Sequence, residues 1–153
     1  AMAARVIAGP RVKAVTLTGS GRAGSAVAST AGKPLKKCVM ELGGSDPFLV
    51  LDDADLDAAV PAAVASRFGN AGQTCIAPDY VLVPRERTIE FAELVLAEAR
   101  RAYPDLGADY STMISARAFD RVIEASAEAG RGGGWGLRHP VPSDRSRRLM
   151  ACA

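Results

Sequence analysis

Hydrophobic residues recur along the chain with two different periods, which predict strands and helices in alternation. Short β-branched or alternating segments predict strands at residues 12–18, 36–41, 47–51 and 80–83. Segments rich in small residues, or with an apolar residue every three or four positions, predict helices at residues 25–31, 53–68, 88–102 and 116–128. Alternating strands and helices are typical of an α/β fold.

The helix after residue 53 has the clearest apolar stripe. Asp53 or Asp55 is suited to cap its start, and the buried side is predicted to be Leu56, Val60, Val64 and Phe68. Pro61 falls inside this helix, where proline costs about 3 kcal/mol, and it predicts a kink or a broken start. From residue 130 onward the sequence is rich in glycine, proline and arginine, and no element is predicted there.

The amino-acid composition is typical of a soluble globular protein. Hydrophobic residues make up 48% and charged residues 24% of the 153 residues, and no apolar run is long enough to span a bilayer. Without a secretory signal, we expect a cytoplasmic protein that does not bind membranes. Net charge is +2, and the excess of arginine lies in residues 131–153, so we expect a solvated basic tail and no nucleic-acid site. We predict no metal site.

A glycine-rich turn follows the first predicted strand. Gly19-Ser20-Gly21-Arg22-Ala23-Gly24 matches the dinucleotide-binding fingerprint and precedes a predicted helix, whose free N–H groups would meet a pyrophosphate. In this interpretation Glu41, at the end of the next strand, would bind the ribose hydroxyls. An ordinary strand-to-helix turn that needs glycine only for its angle is the alternative.

Three motifs occur in the order found in aldehyde dehydrogenases. They are Thr18-Gly19-Ser20, Glu41-Leu42-Gly43-Gly44 and Asn70-Ala71-Gly72-Gln73-Thr74-Cys75. The chain resembles this family over about residues 12–125, and 34 positions separate Glu41 from Cys75, as is typical of the family. We prefer the family interpretation of Glu41, because the fingerprint explains one segment and the family pattern explains several.

The resemblance implies roles for particular residues. Cys75 would be the nucleophile that attacks the aldehyde, and its backbone N–H would help to bind the oxyanion. Glu41 would be the base that activates the deacylating water. The residues implied to contact the cofactor, which is NAD or NADP, are Thr18, Gly19, Ser20, Leu42 and Gly43.

The resemblance also implies a partial three-layer α/β sandwich. Residues 1–45 would end a nucleotide-binding domain, residues 46–129 would begin a catalytic domain, and residues 130–153 would be an irregular tail. Unpaired strand edges in such a structure favour self-association, so we expect a homo-oligomer.

The aldehyde substrate is not defined by the resemblance. Residues 41–60 resemble succinate-semialdehyde dehydrogenases, whereas residues 71–84 and 103–115 resemble coniferyl-aldehyde dehydrogenases. A non-catalytic α/β module that binds a nucleotide or self-associates is an alternative function, and weak ester or thioester hydrolysis by Cys75 is a third.

The remaining candidate residues have simpler interpretations. Cys38 lies in an apolar strand and is expected to be a small buried hydrophobic residue. Cys152 is expected to be an exposed thiol of the tail. His139 is the sole histidine and receives no role.

We expect little or no dehydrogenase turnover from this chain alone. The family's oxyanion-hole asparagine, its ribose-binding lysine and its later Glu-Phe-Gly-Pro segment have no counterpart in this sequence. Absorbance of NADH during incubation with NAD and an aldehyde measures the turnover. Sustained NADH formation by the pure chain would contradict the expectation.

Overall fold

The computed structural model describes residues 2–132 and 143–150, which form two compact units divided between Gly44 and Ser45. The α/β class predicted from the sequence is confirmed. In chain order the regular elements are α1 (Met2–Ala8), β1 (Ala14–Gly19), α2 (Gly21–Gly32), β2 (Lys37–Leu42), β3 (Asp46–Leu49), α3 (Leu56–Phe68), β4 (Pro78–Leu82), α4 (Thr88–Ala102), α5 (Leu106–Asp109) and α6 (Ala116–Arg131).

The first unit is built on a strand–helix–strand motif. β1 and β2 pair in parallel, with Thr18 opposite Glu41 and Gly19 opposite Leu42. α2 begins four residues earlier than predicted, because the Ser20 hydroxyl accepts a hydrogen bond from the Ala23 N–H at 3.3 Å and caps the helix there.

Gly24 sets how closely α2 approaches the strands. A Cβ atom at this buried position would lie 2.8 Å from Cδ2 of Leu42, closer than packed carbon atoms approach one another. With glycine at this last position of the fingerprint, the helix packs against β2 without displacing the Leu42 side chain.

The second unit has its core between the β3–β4 pair and two helices. β3 and β4 are parallel, and the buried residues of the core are Val50, Leu56, Val60, Ala63 and Phe91. Leu49 in β3, Leu82 in β4 and Leu51, two residues after β3, are each more than half exposed, as expected for residues that point away from the face that the helices cover.

The predicted stripe of α3 is confirmed except at Phe68, which is half-buried rather than buried. Leu56, Val60 and Val64 are buried, and the Asp55 carboxylate caps the helix by accepting from the Asp57 N–H at 3.0 Å. The predicted broken start is wrong, because the helix continues without interruption through Pro61. Pro61 is exposed, and the N–H that it lacks would have bonded only to the first turn of the helix, which the Asp55 cap already fixes.

The segment 143–150, which we call the tail clasp, is not simply a solvated end. Leu149 is buried against Leu106, in a cluster with Phe68, Tyr103 and Tyr110. The rings of Tyr103 and Tyr110 meet edge to face, with centroids 5.0 Å apart.

Polar contacts also fix the tail clasp. Arg145 donates from Nε and Nη2 to the two carboxylate oxygens of Asp120, at 2.7 and 2.8 Å. Asp144 accepts from the hydroxyl of Ser146 at 2.7 Å, which closes a turn. Among the residues described, no helix is long and apolar enough to cross a membrane.

Acid should loosen the tail clasp. The hydrogen bond from Arg145 lowers the pKa of Asp120, and those from Ser146 and the Arg147 N–H lower the pKa of Asp144. A lowered folded-state pKa gives stability that is present above the ordinary aspartate value of about 3.9 and is lost as pH falls through the folded-state value. Protection of the Met113 N–H, which donates to the Arg148 carbonyl, should therefore decline below about pH 4.

Hydrogen exchange corrected for the intrinsic pH dependence measures this decline. The Val50 N–H, which donates to Leu82 in the core of the same unit, is the matched reference. Equal changes at Met113 and Val50, or no change at Met113, would contradict the expectation.

Candidate active site

Cys75 lies in the connection between α3 and β4, residues 69–77, which we call the cysteine loop. The loop begins with a tight turn at Gly69–Gly72, and its last residue, Ala77, is buried beside the start of β4. The Cys75 thiol is exposed. This placement leaves the sulfur accessible to a small molecule from solvent.

The backbone before Cys75 has an uncommon conformation. Asn70, Ala71 and Gly72 have φ values of 53°, 55° and 70°, so three successive residues are left-handed. Glycine and asparagine tolerate this region, whereas alanine pays about 1–2 kcal/mol. Contacts from elsewhere in the unit must therefore maintain the turn.

Arg67 provides one such contact. A Cβ atom at Gly72 would lie 3.1 Å from both Nη1 and the carbonyl oxygen of Arg67. The same Nη1 donates to the Asp79 carboxylate at 2.9 Å. Arg67 thus lies beside Gly72, before Cys75, and is bonded to Asp79, after it.

Gln73 provides the other contact. It belongs to the motif Asn70–Cys75, but the sequence predicts no role for it. Its side chain hydrogen-bonds to the backbone of residues 112 and 114, about forty positions away. No local pattern in the sequence indicates that partnership. Arg67 was also missed, because a surface arginine in a helix has no distinguishing local signal.

Glu41 lies at the carboxyl end of the first unit's strand pair. Its residue position is opposite Thr18, and both residues are exposed. Within residues 2–132 and 143–150, no hydrogen-bond or ion-pair partner of the Glu41 carboxylate is found. Gly19 and Leu42 end the two strands, with Ser20 and Gly43 directly beyond them.

The start of α2, at this end of the first unit, has features that could hold a phosphate group. The first N–H groups of α2, at Gly21 and Arg22, have no acceptor within the helix and face outward. A Cβ atom at Gly21 would meet nothing within 4 Å, so there is open space beside the first residue of the helix. Free N–H groups and the positive end of a 12-residue helix attract anions.

The predicted residues therefore fall into two groups. The first unit brings together Glu41 and the five residues proposed to contact the cofactor, which are Thr18, Gly19, Ser20, Leu42 and Gly43. Cys75 belongs to the second unit. The described residues contain no cluster of histidine, cysteine, aspartate and glutamate that could bind a metal ion.

Of the other two cysteines and the histidine, only Cys38 lies within the described part of the chain. Cys38 is half-buried rather than buried, and its thiol lies 3.6 Å from the Lys36 carbonyl oxygen. The alternation of β2, with its second and fourth residues partly covered, explains this intermediate exposure. Cys152 and His139 lie outside the described residues.

Comparison with known proteins defines the class. The profile of the Aldehyde dehydrogenase family matches residues 1–137, which is most of the chain. Together with the α/β fold and the exposed cysteine of the loop, this match shows that the chain belongs to the aldehyde dehydrogenase family.

Two relatives with similar sequences are both named as succinate-semialdehyde dehydrogenases. Succinate semialdehyde dehydrogenase (NAD(P)+) Sad of Escherichia coli (strain K12) is 52% identical over 95 residues, which are 62% of this chain and 21% of that protein. The succinate-semialdehyde dehydrogenase (NADP(+)) of Deinococcus radiodurans is 49% identical over 110 residues, covering 72% of this chain and 23% of the relative.

Solved structures agree with the partial aldehyde-dehydrogenase-like fold. The succinate-semialdehyde dehydrogenase of Burkholderia pseudomallei aligns with a TM-score of 0.83 and 30% identity, over 98% of this chain and 32% of that one. The succinic semialdehyde dehydrogenase of Streptococcus pyogenes in complex with NADP+ gives a TM-score of 0.82 and 33% identity, over 98% and 34%. The chain thus spans about a fifth to a third of these relatives' lengths.

Replacing Gly72 by alanine should destabilise the second unit. The substitution places a Cβ atom at positive φ and 3.1 Å from the Arg67 carbonyl. We expect a loss of about 1–2 kcal/mol in the free energy of unfolding, measured by urea titration with circular dichroism.

Gly69→Ala is the matched control in the same loop. Gly69 has φ of −51°, and a Cβ atom there would meet nothing within 4 Å. We expect a change within about 0.5 kcal/mol. Equal losses in the two variants would show that the left-handed turn does not require glycine.

Proposed function

We propose that this chain provides the nucleophile and the deacylating base of an NAD(P)-dependent aldehyde dehydrogenase. The observation that carries the proposal is the exposed Cys75 in a tightly fixed loop of a chain from this family. The relatives' names favour succinate semialdehyde as the aldehyde, with either NAD or NADP as the oxidant.

The first step belongs to Cys75. Its thiolate attacks the carbonyl carbon, so that a C–S bond forms and the carbonyl π electrons move to oxygen. The Cys75 backbone N–H donates to the resulting oxyanion. The product is a thiohemiacetal attached to the second unit.

Oxidation then requires the cofactor, which supplies the hydride acceptor when bound. Thr18, Gly19 and Ser20 are proposed to lie against its phosphates at the start of α2, where N–H groups are free. Leu42 and Gly43 follow Glu41 and are proposed to contact the same molecule. Loss of a hydride from the substrate carbon leaves a thioester on Cys75.

Glu41 is proposed to complete the reaction. Its carboxylate takes a proton from water, and the oxygen of that water attacks the thioester carbon. The C–S bond breaks, the carboxylic acid leaves, and the thiolate of Cys75 is regenerated. The exposure of Glu41 at a strand end is compatible with access of water to this carboxylate.

A second candidate function is a non-catalytic module that associates with another chain. The exposed leucines of the β3–β4 pair, Leu49, Leu51 and Leu82, favour this alternative because apolar surface of this kind is commonly covered by a partner. Stable oligomers without aldehyde chemistry at Cys75 would support it.

An aldehyde should protect Cys75 selectively from alkylation. Formation of a thiohemiacetal removes the thiolate, so succinate semialdehyde should slow labelling by iodoacetamide several-fold and in a saturable way. The site of labelling and its rate are measured by peptide mass spectrometry. Succinate, which lacks the electrophilic carbonyl, should not protect.

Cys38 in the same molecule is the internal reference. It is half-buried in a strand and has no proposed role, so the aldehyde should leave its labelling unchanged. Equal protection of both thiols, or protection that persists in urea, would show general aldehyde addition and would contradict the proposed site.

A further inference from the structure

The side-chain amide of Gln73 connects the cysteine loop to a distant segment. Its Nε2 donates to the carbonyl oxygens of Asn70, at 3.1 Å, and Thr112, at 3.2 Å. Its Oε1 accepts from the Ile114 N–H at 2.8 Å. The amide NH2 group of Gln73 faces two carbonyl acceptors, and its amide oxygen faces an N–H donor. Each hydrogen bond of the side chain therefore pairs a donor with an acceptor.

These contacts imitate a strand pairing. In a parallel ladder, a peptide group donates to the residue before its partner and accepts from the residue after it. Gln73 does this with Thr112 and Ile114, on the two sides of Met113. One side chain thus replaces a neighbouring strand for this segment.

The other edge of residues 112–114, which we call the platform, is bound by the tail clasp. The Met113 N–H donates to the Arg148 carbonyl at 2.8 Å, and Nη1 of Arg148 donates to the Ile114 carbonyl at 2.7 Å. Met113 is buried. Because both edges are bonded and the central side chain is packed, the platform is a fixed support.

Gln73 also closes the left-handed turn before Cys75. Its backbone N–H donates to the Asn70 carbonyl at 3.1 Å, and Nδ2 of Asn70 donates to the Gln73 carbonyl at 3.3 Å. The turn and the platform are therefore joined at a single residue, two positions before Cys75. A turn that includes a left-handed alanine needs such support.

We propose that Gln73 is a positioning residue, which fixes Cys75 by fastening the left-handed turn to the platform. The inference rests on the proposed role of Cys75 as the nucleophile. Loss of the amide would release the turn toward ordinary φ values and change the direction in which the sulfur is presented. Near-attack geometry is sensitive to displacements of about 1 Å.

Two substitutions test the donor and the acceptor of the Gln73 amide separately. Gln73→Met keeps the length of the side chain and removes all three amide hydrogen bonds. Gln73→Glu retains an acceptor for the Ile114 N–H but places a carboxylate oxygen against the carbonyls of Asn70 and Thr112. Both variants should release the turn, although only Met removes the acceptor for Ile114.

Arg87→Met is the matched control in the same unit. Nη1 of Arg87 donates to the backbone carbonyls of Asp52 and Ala54, each at 3.2 Å, far along the chain from the cysteine loop. This variant loses comparable side-chain-to-backbone bonds and reports general destabilisation. Effects shared by all variants are then attributable to global stability.

Two measurements are made on each variant of the whole chain at neutral pH. Hydrogen exchange is followed at the Ile114 N–H and at the Ala77 N–H, which closes the end of the loop on Thr74. Protection of Cys75 from iodoacetamide by succinate semialdehyde gives the apparent affinity of the thiol for an aldehyde.

We expect Gln73→Met to lower protection at Ile114 and Ala77, each on the order of tenfold relative to Arg87→Met. We expect Gln73→Glu to lower protection at Ala77 similarly, and both to weaken the aldehyde affinity of Cys75. Faster exchange at Ile114 with unchanged Ala77 and Cys75 would overturn the proposal, because Gln73 would then support only the platform.

Failure of the proposed function is distinguishable from failure of this inference. If succinate semialdehyde does not protect Cys75 even in the unsubstituted chain, the function is contradicted, and exchange at Ala77 still decides whether Gln73 fixes the loop. If the variants do not fold, denaturant-dependent exchange of the unsubstituted chain decides. Ile114 and Ala77 should open together, and independent opening would overturn the proposal.

Discussion

The left-handed turn at residues 70–72 is the constraint on which the second unit's chemistry depends. Its conformation is unfavourable for Ala71; Arg67 of α3 lies beside it, and Gln73 bonds it to the platform. The platform in turn is bonded to the tail clasp through Arg148. In the proposed role of Gln73, the direction of the Cys75 thiol thus depends on segments that lie from eight to more than seventy positions away in the sequence.

A different constraint operates in the first unit, where the position of Glu41 follows from parallel pairing and close helix packing. Pairing places Glu41 opposite Thr18 at the end where both strands stop. Gly24 permits α2 to approach Leu42, the residue after Glu41, more closely than any larger residue would. Gly24, the last glycine of the fingerprint, therefore affects packing next to Glu41 whether that residue is interpreted as a base or as a ribose ligand.

Local signals predicted the elements better than the contacts between them. The four-residue spacing of Leu56, Val60 and Val64 was sufficient for α3, because burial of one helix face requires that period. The start of α2 was missed because its glycines were interpreted as a turn, although Ser20 caps the helix. The bonds of Gln73 and the burial of Leu149 were unpredictable, since pairing over long separations leaves no periodic trace.

The two proposed chemical roles are separable because each is fixed within its own unit. Contacts that fix Cys75 come from α3, the platform and the tail clasp, all within residues 45–153. Contacts that fix Glu41 come from β1 and α2, within residues 1–44. In the proposed mechanism, formation of an aldehyde adduct needs only the contacts around Cys75, whereas hydrolysis of a thioester also needs those around Glu41. The proposed adduct formation therefore does not depend on a complete catalytic cycle, so thiol chemistry tests the proposed nucleophile more directly than NADH production does.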